Sequence, residues 1–235
     1  MYPWAYTVNF LGGRCPHDCS FCYVGGKIAP WLERMGNDKY VGEPRLIENE
    51  FKTKLVVPDA FVVFVESCGD LFANEIPKDW IRRVLDYLRS FPDTTFLLQT
   101  KNPQRFFDFD WNLYPANCIL GTTIETNRDY HLTKAPTPFH RYHAMHDVIV
   151  ETCNLFHFLV SIEPVMDFDL EIMKDWMLSL SPDFTSIGAD SGHTNLPEPS
   201  STKLKWLIKY CEKFSEVRIK KNLSRLTNES PKNLK

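Results

Sequence analysis

Short apolar runs recur along the chain, each followed by a stretch with helical spacing. Ala5–Phe10 (AYTVNF), Phe61–Val65 (FVVFV), Thr95–Thr100 (TFLLQT) and Cys118–Thr123 (CILGTT) are the first four. Phe156–Ile162 (FHFLVSI), Phe184–Gly188 (FTSIG) and Glu216–Lys220 (EVRIK) complete the series. Runs this short and this apolar suit strands covered on both faces, and so a parallel sheet. Between them lie helical patterns. Pro77–Ser90 opens on proline and sets Trp80, Ile81, Val84, Leu85 and Leu88 at helical spacing. Tyr142–Cys153, Asp169–Leu180 and Ser201–Phe214 follow, with a short helix near Ile28–Met35.

Strand and helix alternate as repeated βα units do. The expected architecture is α/β: one domain, a partial (β/α)6-type barrel with mostly parallel strands, spanning residues 1–221. Residues 222–235 read as a basic polar tail.

Composition narrows the class. The chain has 235 residues, 43% hydrophobic and 24% charged, with a net charge of −3. Such a chain can bury a large core without disulfides. No run of about 18 apolar residues offers a membrane span, so no membrane partner is expected. Met1–Phe10 lacks a charged start and a long apolar stretch, so a cytoplasmic setting is expected. There, clustered cysteines more often hold metal than pair as disulfides.

Three of the seven cysteines are crowded into Cys15-Pro16-His17-Asp18-Cys19-Ser20-Phe21-Cys22. This C-x3-C-x2-C follows the first strand directly. Gly12, Gly13 and Pro16 favour a tight loop. Soft thiolates select zinc or an iron–sulfur cluster. A closed zinc site takes four ligands, and His17 could supply the fourth. A [4Fe–4S] cluster on Cys15, Cys19 and Cys22 instead leaves one iron free for a cofactor. Cys68, Cys118, Cys153 and Cys211 lack cluster spacing and read as core residues.

The motif, with Phe21 at the aromatic position before its third cysteine, resembles the radical S-adenosylmethionine (radical SAM) superfamily. The wider pattern resembles a family of small, mostly uncharacterised phage and bacterial radical SAM proteins. Its landmarks occur in order: Ser67-Cys68-Gly69-Asp70-Leu71-Phe72, Thr100-Lys101-Asn102-Pro103, Ile124-Glu125-Thr126-Asn127, Ser161-Ile162-Glu163-Pro164 and Gly188-Ala189-Asp190-Ser191-Gly192, then Arg218-Ile219-Lys220-Lys221. Each stands at the carboxyl end of an expected strand, where a parallel barrel gathers its ligands.

The resemblance implies cofactors and contacts. A [4Fe–4S] cluster would cleave S-adenosylmethionine reductively, and the 5′-deoxyadenosyl radical would take hydrogen from a substrate. Ser67 and Asp70 would face the methionine ammonium, although this chain has Cys-Gly-Asp where the superfamily has a Gly-Gly-Glu-like segment. Lys101 would pair with a carboxylate or phosphate. Thr123 and Glu125 would bond ribose hydroxyls. Phe21, Glu163 and Asp190 complete the expected cofactor contacts. Glu163 could instead pair with Lys220, and Asp190 could cap a turn. An electron donor such as flavodoxin or ferredoxin is implied. Cys68 or Cys153 could give hydrogen.

Residues 217–235 hold six Lys or Arg and one acid. That basic end, on an otherwise acidic chain, suits a nucleic acid partner, and modification or repair of a nucleobase in DNA or RNA is the expected chemistry. The competing reading is a non-catalytic binding module for nucleic acid or protein, stabilised by zinc or an Fe–S cluster. His140, His143 and His146 drift around a helix and read as an exposed face.

Overall fold

The computed structural model describes residues 4–58, 61–152 and 155–227. Strand β1 (Ala5–Val8) leads into β2 (Leu11–Gly12), which pairs antiparallel with β3 (Arg45–Leu46). The cysteine loop lies between these two. A π-helical turn, Val24–Ile28, runs into α1 (Ala29–Arg34). The repeating part follows as β4 (Val62–Val65), α2 (Lys78–Leu88), β5 (Phe96–Thr100), β6 (Cys118–Thr123), α3 (Pro138–Thr152), β7 (His157–Ile162) and α4 (Leu170–Leu180). The chain continues through β8 (Phe184–Ile187), α5 (Ser201–Cys211), β9 (Glu216–Ile219) and α6 (Ser224–Thr227).

Seven strands form one curled, all-parallel sheet in the order β1-β4-β5-β6-β7-β8-β9. This is the expected partial barrel, in a single domain. The register aligns Val8 with Val65, Val65 with Leu98, Leu98 with Leu120 and Thr123 with Ser161. Side chains alternate between faces with a period of two. Val65, Phe96, Leu98, Leu120 and Val160 join the large core shared with Ile81, Leu85, Met173 and Leu207 of the helices. The opposite face carries a small apolar plug of Leu97, Ile119 and Leu159. Two residues further along those strands, on the plug's side, stand Gln99, Gly121 and Ser161.

The helices form where the spacing predicts. In α2, Ile81, Val84, Leu85 and Leu88 are buried, and Asp79 sits favourably in the first turn. In α5, Ser200 Oγ accepts from Lys203 N at 3.3 Å as an N-cap. Helix α3 begins at Pro138 rather than Tyr142, because proline fits a first helical turn. No described helix is long and apolar enough to cross a membrane.

The end of the described chain is packed. Leu223 and Thr227 are buried, and Asn222 Nδ2 donates to Ala189 O at 2.7 Å. Residues 228–235 of the expected tail, like Cys153, lie outside the described residues. Leu223→Ala is therefore expected to cost about 2–5 kcal/mol, as for other buried leucines. Urea unfolding checks this; a loss under about 1 kcal/mol would show the segment to be peripheral.

Candidate cofactor and metal site

The carboxyl ends of the strands and the cysteine loop enclose a cavity of about 380 Å³. Its wall includes Cys15, Cys19 and Cys22, and also Phe21, Ser67, Asp70, Lys101, Thr123, Glu163 and Asp190. Ten of the eleven expected site residues thus share one cavity. Glu125 stands outside it. Among the described residues no three His, Cys, Asp or Glu side chains are gathered as around a metal ion.

The cysteine loop is shaped by its backbone. Gly13 holds φ +84°, and a Cβ there would lie 2.1 Å from Glu43 O. Asp18 also adopts positive φ. Asp18 N donates to Cys15 O at 3.2 Å and Cys22 N to Cys19 O at 3.0 Å. None of the three thiols is in a disulfide. Burial, then the Asp70 carboxylate, pushes the Cys15 thiol up.

Asp70 is buried and fully engaged. His17 Nε2 lies 2.8 Å from Oδ2, and Lys101 N donates to the same oxygen at 2.8 Å. Thr100 Oγ1 and Phe72 N donate to Oδ1 at 2.7 and 2.9 Å. Burial would raise this carboxyl; the His17 charge and hydrogen bond, with those of Lys101 and Thr100, outweigh it and hold the carboxyl low.

A charge ladder lies behind the cysteines. Lys101 Nζ pairs with Glu125 Oε1, and Arg141 Nη1 meets Glu125 Oε2 at 2.6 Å. Glu125 is 0% exposed and Arg141 2%. Arg141 Nη1 also donates to Thr123 O at 2.8 Å. Lys101 Nζ stands 5.2 Å from the Phe21 ring centroid. Burial pushes Lys101 down to about 8, against the pull of the Cys19, Asp70 and Cys15 charges.

Across the cavity, Glu163 pairs with Lys220. Asp190 accepts from Gly192 N at 2.7 Å and Thr194 Oγ1 at 2.9 Å, which closes a turn. Ser67 Oγ donates to Asn9 Oδ1 at 3.4 Å. Gln99 Nε2 donates to Thr123 Oγ1 at 3.0 Å. The half-buried Cys68 sulfur lies beside the Tyr23 and Tyr40 phenols, with Tyr23 Oη donating to Ser67 O at 3.3 Å, and burial followed by that sulfur pushes both phenols up.

Several neighbours of the site carry no motif. Lys27, after the third cysteine, donates to Ser191 O at 3.1 Å. Residues 132–134 hold the cysteine loop, with Ser20 N donating to Leu132 O at 2.9 Å. Glu66 is 2% exposed and has φ +61°. Its Oε1 accepts from Leu11 N at 3.0 Å, while Oε2 has no partner. An acid closing the apolar run FVVFV was the available signal for Glu66.

A family model matches residues 12–209, from the cysteine loop into α5. The chain belongs to the family described as "Protein of unknown function (DUF5131)". No curated protein matches it. Among solved structures, a cysteine-to-serine mutant of spore photoproduct lyase is similar at 12% identity and TM-score 0.66, over 92% of this chain and 76% of that one. A double mutant of that lyase, with bound AdoMet and dinucleoside spore photoproduct, is similar at 12% identity and TM-score 0.62, over 90% and 75%. Streptococcus suis SuiB is similar at 10% identity and TM-score 0.53, over 97% and 53%. At these identities the likeness is one of fold.

In this DUF5131 chain Glu66 gives a pH test. Burial pushes its carboxyl from 4.5 to about 8, against the Leu11 and Phe10 amides. Between those values the folded state keeps a proton the unfolded chain has lost, so stability falls as pH rises. Glu66→Gln keeps an acceptor for Leu11 N–H and has no such proton. Wild type should lose stability relative to the variant from pH 4.5 to about 8, by on the order of a few kcal/mol. Urea unfolding at stepped pH reads the difference; a gap constant with pH would refute it.

Proposed function

We propose that this protein is a radical SAM enzyme. One observation carries the reading: the three thiols of C-x3-C-x2-C line one cavity at the carboxyl ends of a parallel half-barrel. Similarity to a lyase structure with bound AdoMet supports it.

The three thiols are not drawn together as around a single metal ion, yet the donor chemistry fits the group, with three free cysteine sulfurs on one cavity wall. Cys15, Cys19 and Cys22 would hold a [4Fe–4S] cluster as thiolates. Three thiolates crowd negative charge, and the Lys101–Glu125–Arg141 ladder brings cations beside them. The cavity leaves room for a cofactor, and a cluster on three cysteines would leave one iron without a protein ligand. When bound, cluster and S-adenosylmethionine supply reductive cleavage of the sulfonium to a 5′-deoxyadenosyl radical.

The chain's own side chains bind, orient and exclude water. Lys101 presents a cation to the cofactor's carboxylate, with Phe21 packed against it. Glu125 acts through Lys101 by fixing its position. Asp70, spent on four protein donors, orders the wall, and Ser67 on the same loop would offer its hydroxyl to the cofactor. Thr123, in the cavity wall, would bond a ribose hydroxyl. Glu163 and Asp190 shape the far wall, on the substrate side. Cys68, between two phenols, holds a transferable hydrogen. The electron donor is a flavodoxin- or ferredoxin-type protein.

The substrate we propose is a nucleobase in DNA or RNA, presented at the open side of the half-barrel. A base taken out of its stack could reach such a cavity. The lyase structure with bound dinucleoside spore photoproduct supports this choice, as does the basic end of the chain.

The test is anaerobic reconstitution. Wild type should bind about four irons per chain with sulfide, as a [4Fe–4S] cluster requires. With dithionite and S-adenosylmethionine it should release 5′-deoxyadenosine, read by mass spectrometry. Cys15→Ala, Cys19→Ala and Cys22→Ala should each abolish both. A colourless wild type with one zinc would overturn the reading in favour of a metal-stabilised binding module.

A further inference from the structure

The connection between β6 and α3 crosses the cysteine loop and is fastened at both ends. At its start, Arg128 donates through Nε and Nη2 to Asp169 at 3.1 and 2.5 Å and through Nη1 to Asp167 at 2.5 Å. At its end, the buried Arg141 donates through Nε to Pro136 O at 2.8 Å. Between these anchors the segment meets the loop repeatedly. Leu132 O accepts from Ser20 N at 2.9 Å. His17 O accepts from Lys134 N at 2.8 Å and from Thr133 Oγ1 at 2.9 Å. Lys134 Nζ pairs with Asp18 Oδ2 at 2.9 Å. Cys19 Sγ donates to Thr133 Oγ1 at 3.2 Å.

We propose that this segment is a strap that pre-forms the cysteine loop, and that the Thr133 hydroxyl sets the electronic environment of the Cys19 sulfur as a metal ligand. The inference rests on the reading that the three cysteines hold an iron–sulfur centre.

The chemistry follows from counting protons. As a thiol, Cys19 is the donor to Thr133. As a metal ligand it has lost that proton, and its sulfur becomes an anionic acceptor facing a hydroxyl. Thr133 has one hydrogen and a free rotor. That hydrogen rests on His17 O, which keeps its bond from Lys134 N when the hydroxyl turns. Ala135 N donates to Thr133 Oγ1 at 3.1 Å and keeps the oxygen in place. A donor on a ligating sulfur favours the more electron-rich oxidation state and raises the reduction potential. Thr133 is thus a positioning residue.

Thr133→Val preserves the branched shape without the hydroxyl; Thr133→Ser keeps the hydroxyl. Both, with wild type, are reconstituted anaerobically and assayed for iron, sulfide and reduction midpoint by EPR-monitored titration. The valine variant should load iron as wild type does and show a more negative midpoint. A tenfold change in the reduction equilibrium would read as about 59 mV for a one-electron couple. The serine variant should restore the wild-type midpoint.

A loaded valine variant with the wild-type midpoint overturns the inference alone. Wild type that takes up no iron–sulfur centre overturns the site reading and this inference with it. Should the valine variant fail to load, hydrogen exchange on the metal-free proteins decides. Faster exchange of the Ser20 and Lys134 amides than in wild type supports the strap, and unchanged protection overturns it.

Discussion

The cavity depends on a single buried carboxylate. Asp70 ties the cysteine loop, through His17, to the end of β5, through Thr100 and the Lys101 amide, and to its own loop, through Phe72 N. A buried charge is costly unless paired and hydrogen-bonded. Here a histidine and three further donors meet it, so desolvation is opposed on every side. Such an arrangement is unforgiving, because removing one partner strands the rest. The three segments are far apart in sequence, and this carboxylate sets how they face one another.

The same logic organises the ladder beneath Lys101. Glu125 alone would be an isolated buried charge. Between Lys101 and Arg141 it becomes the bridge of a cation–anion–cation row. The row ends on the cavity with a positive charge beside the cysteines. Arg141 serves a second purpose by holding Pro136 O at the end of the strap. One buried guanidinium therefore couples the charge behind the cysteine loop to the segment lying across it.

Much of the fold was legible because period-two and 3.6-residue patterns are local. All seven strands formed where short apolar runs stood, and α2, α4 and α5 lie within their expected ranges. The cysteine motif was legible for the same reason, since its spacing lies within eight residues. Apart from Glu163 with Lys220, what the sequence did not reveal are pairings made at long range. Glu125 carried a motif, yet both its oxygens are taken by residues 24 positions before and 16 after it. Asp70 resembled a ligand-facing acid, and four protein donors occupy it. The strap offered no motif, because two of its five contacts with the cysteine loop use its backbone groups, which any residue supplies, and the other three come from Thr133 and Lys134, which stand in no spacing pattern. Residues 222–227 read as a polar tail because two leucines, Leu223 and Leu226, among four polar residues are too few to establish a period.

The two sides of the cavity differ in kind. On the cysteine side, walls are fixed by backbone bonds: Ser20 to Leu132, Lys134 to His17, Lys101 to Asp70. On the far side, long side chains make the contacts: Lys220 to Glu163 and Lys27 to Ser191 O. Such a contact is weak where it is exposed, as Lys27 to Ser191 O is, since water competes for both partners. Asn222 and Arg225 hold the 189–191 backbone from behind, so that loop is braced while its cavity-facing contacts are exchangeable. A rigid wall suits an inorganic centre whose ligands must not shift. An exchangeable wall suits a guest that must enter and leave, and β9, an edge strand of the sheet, carries Lys220 just beyond its end on that side.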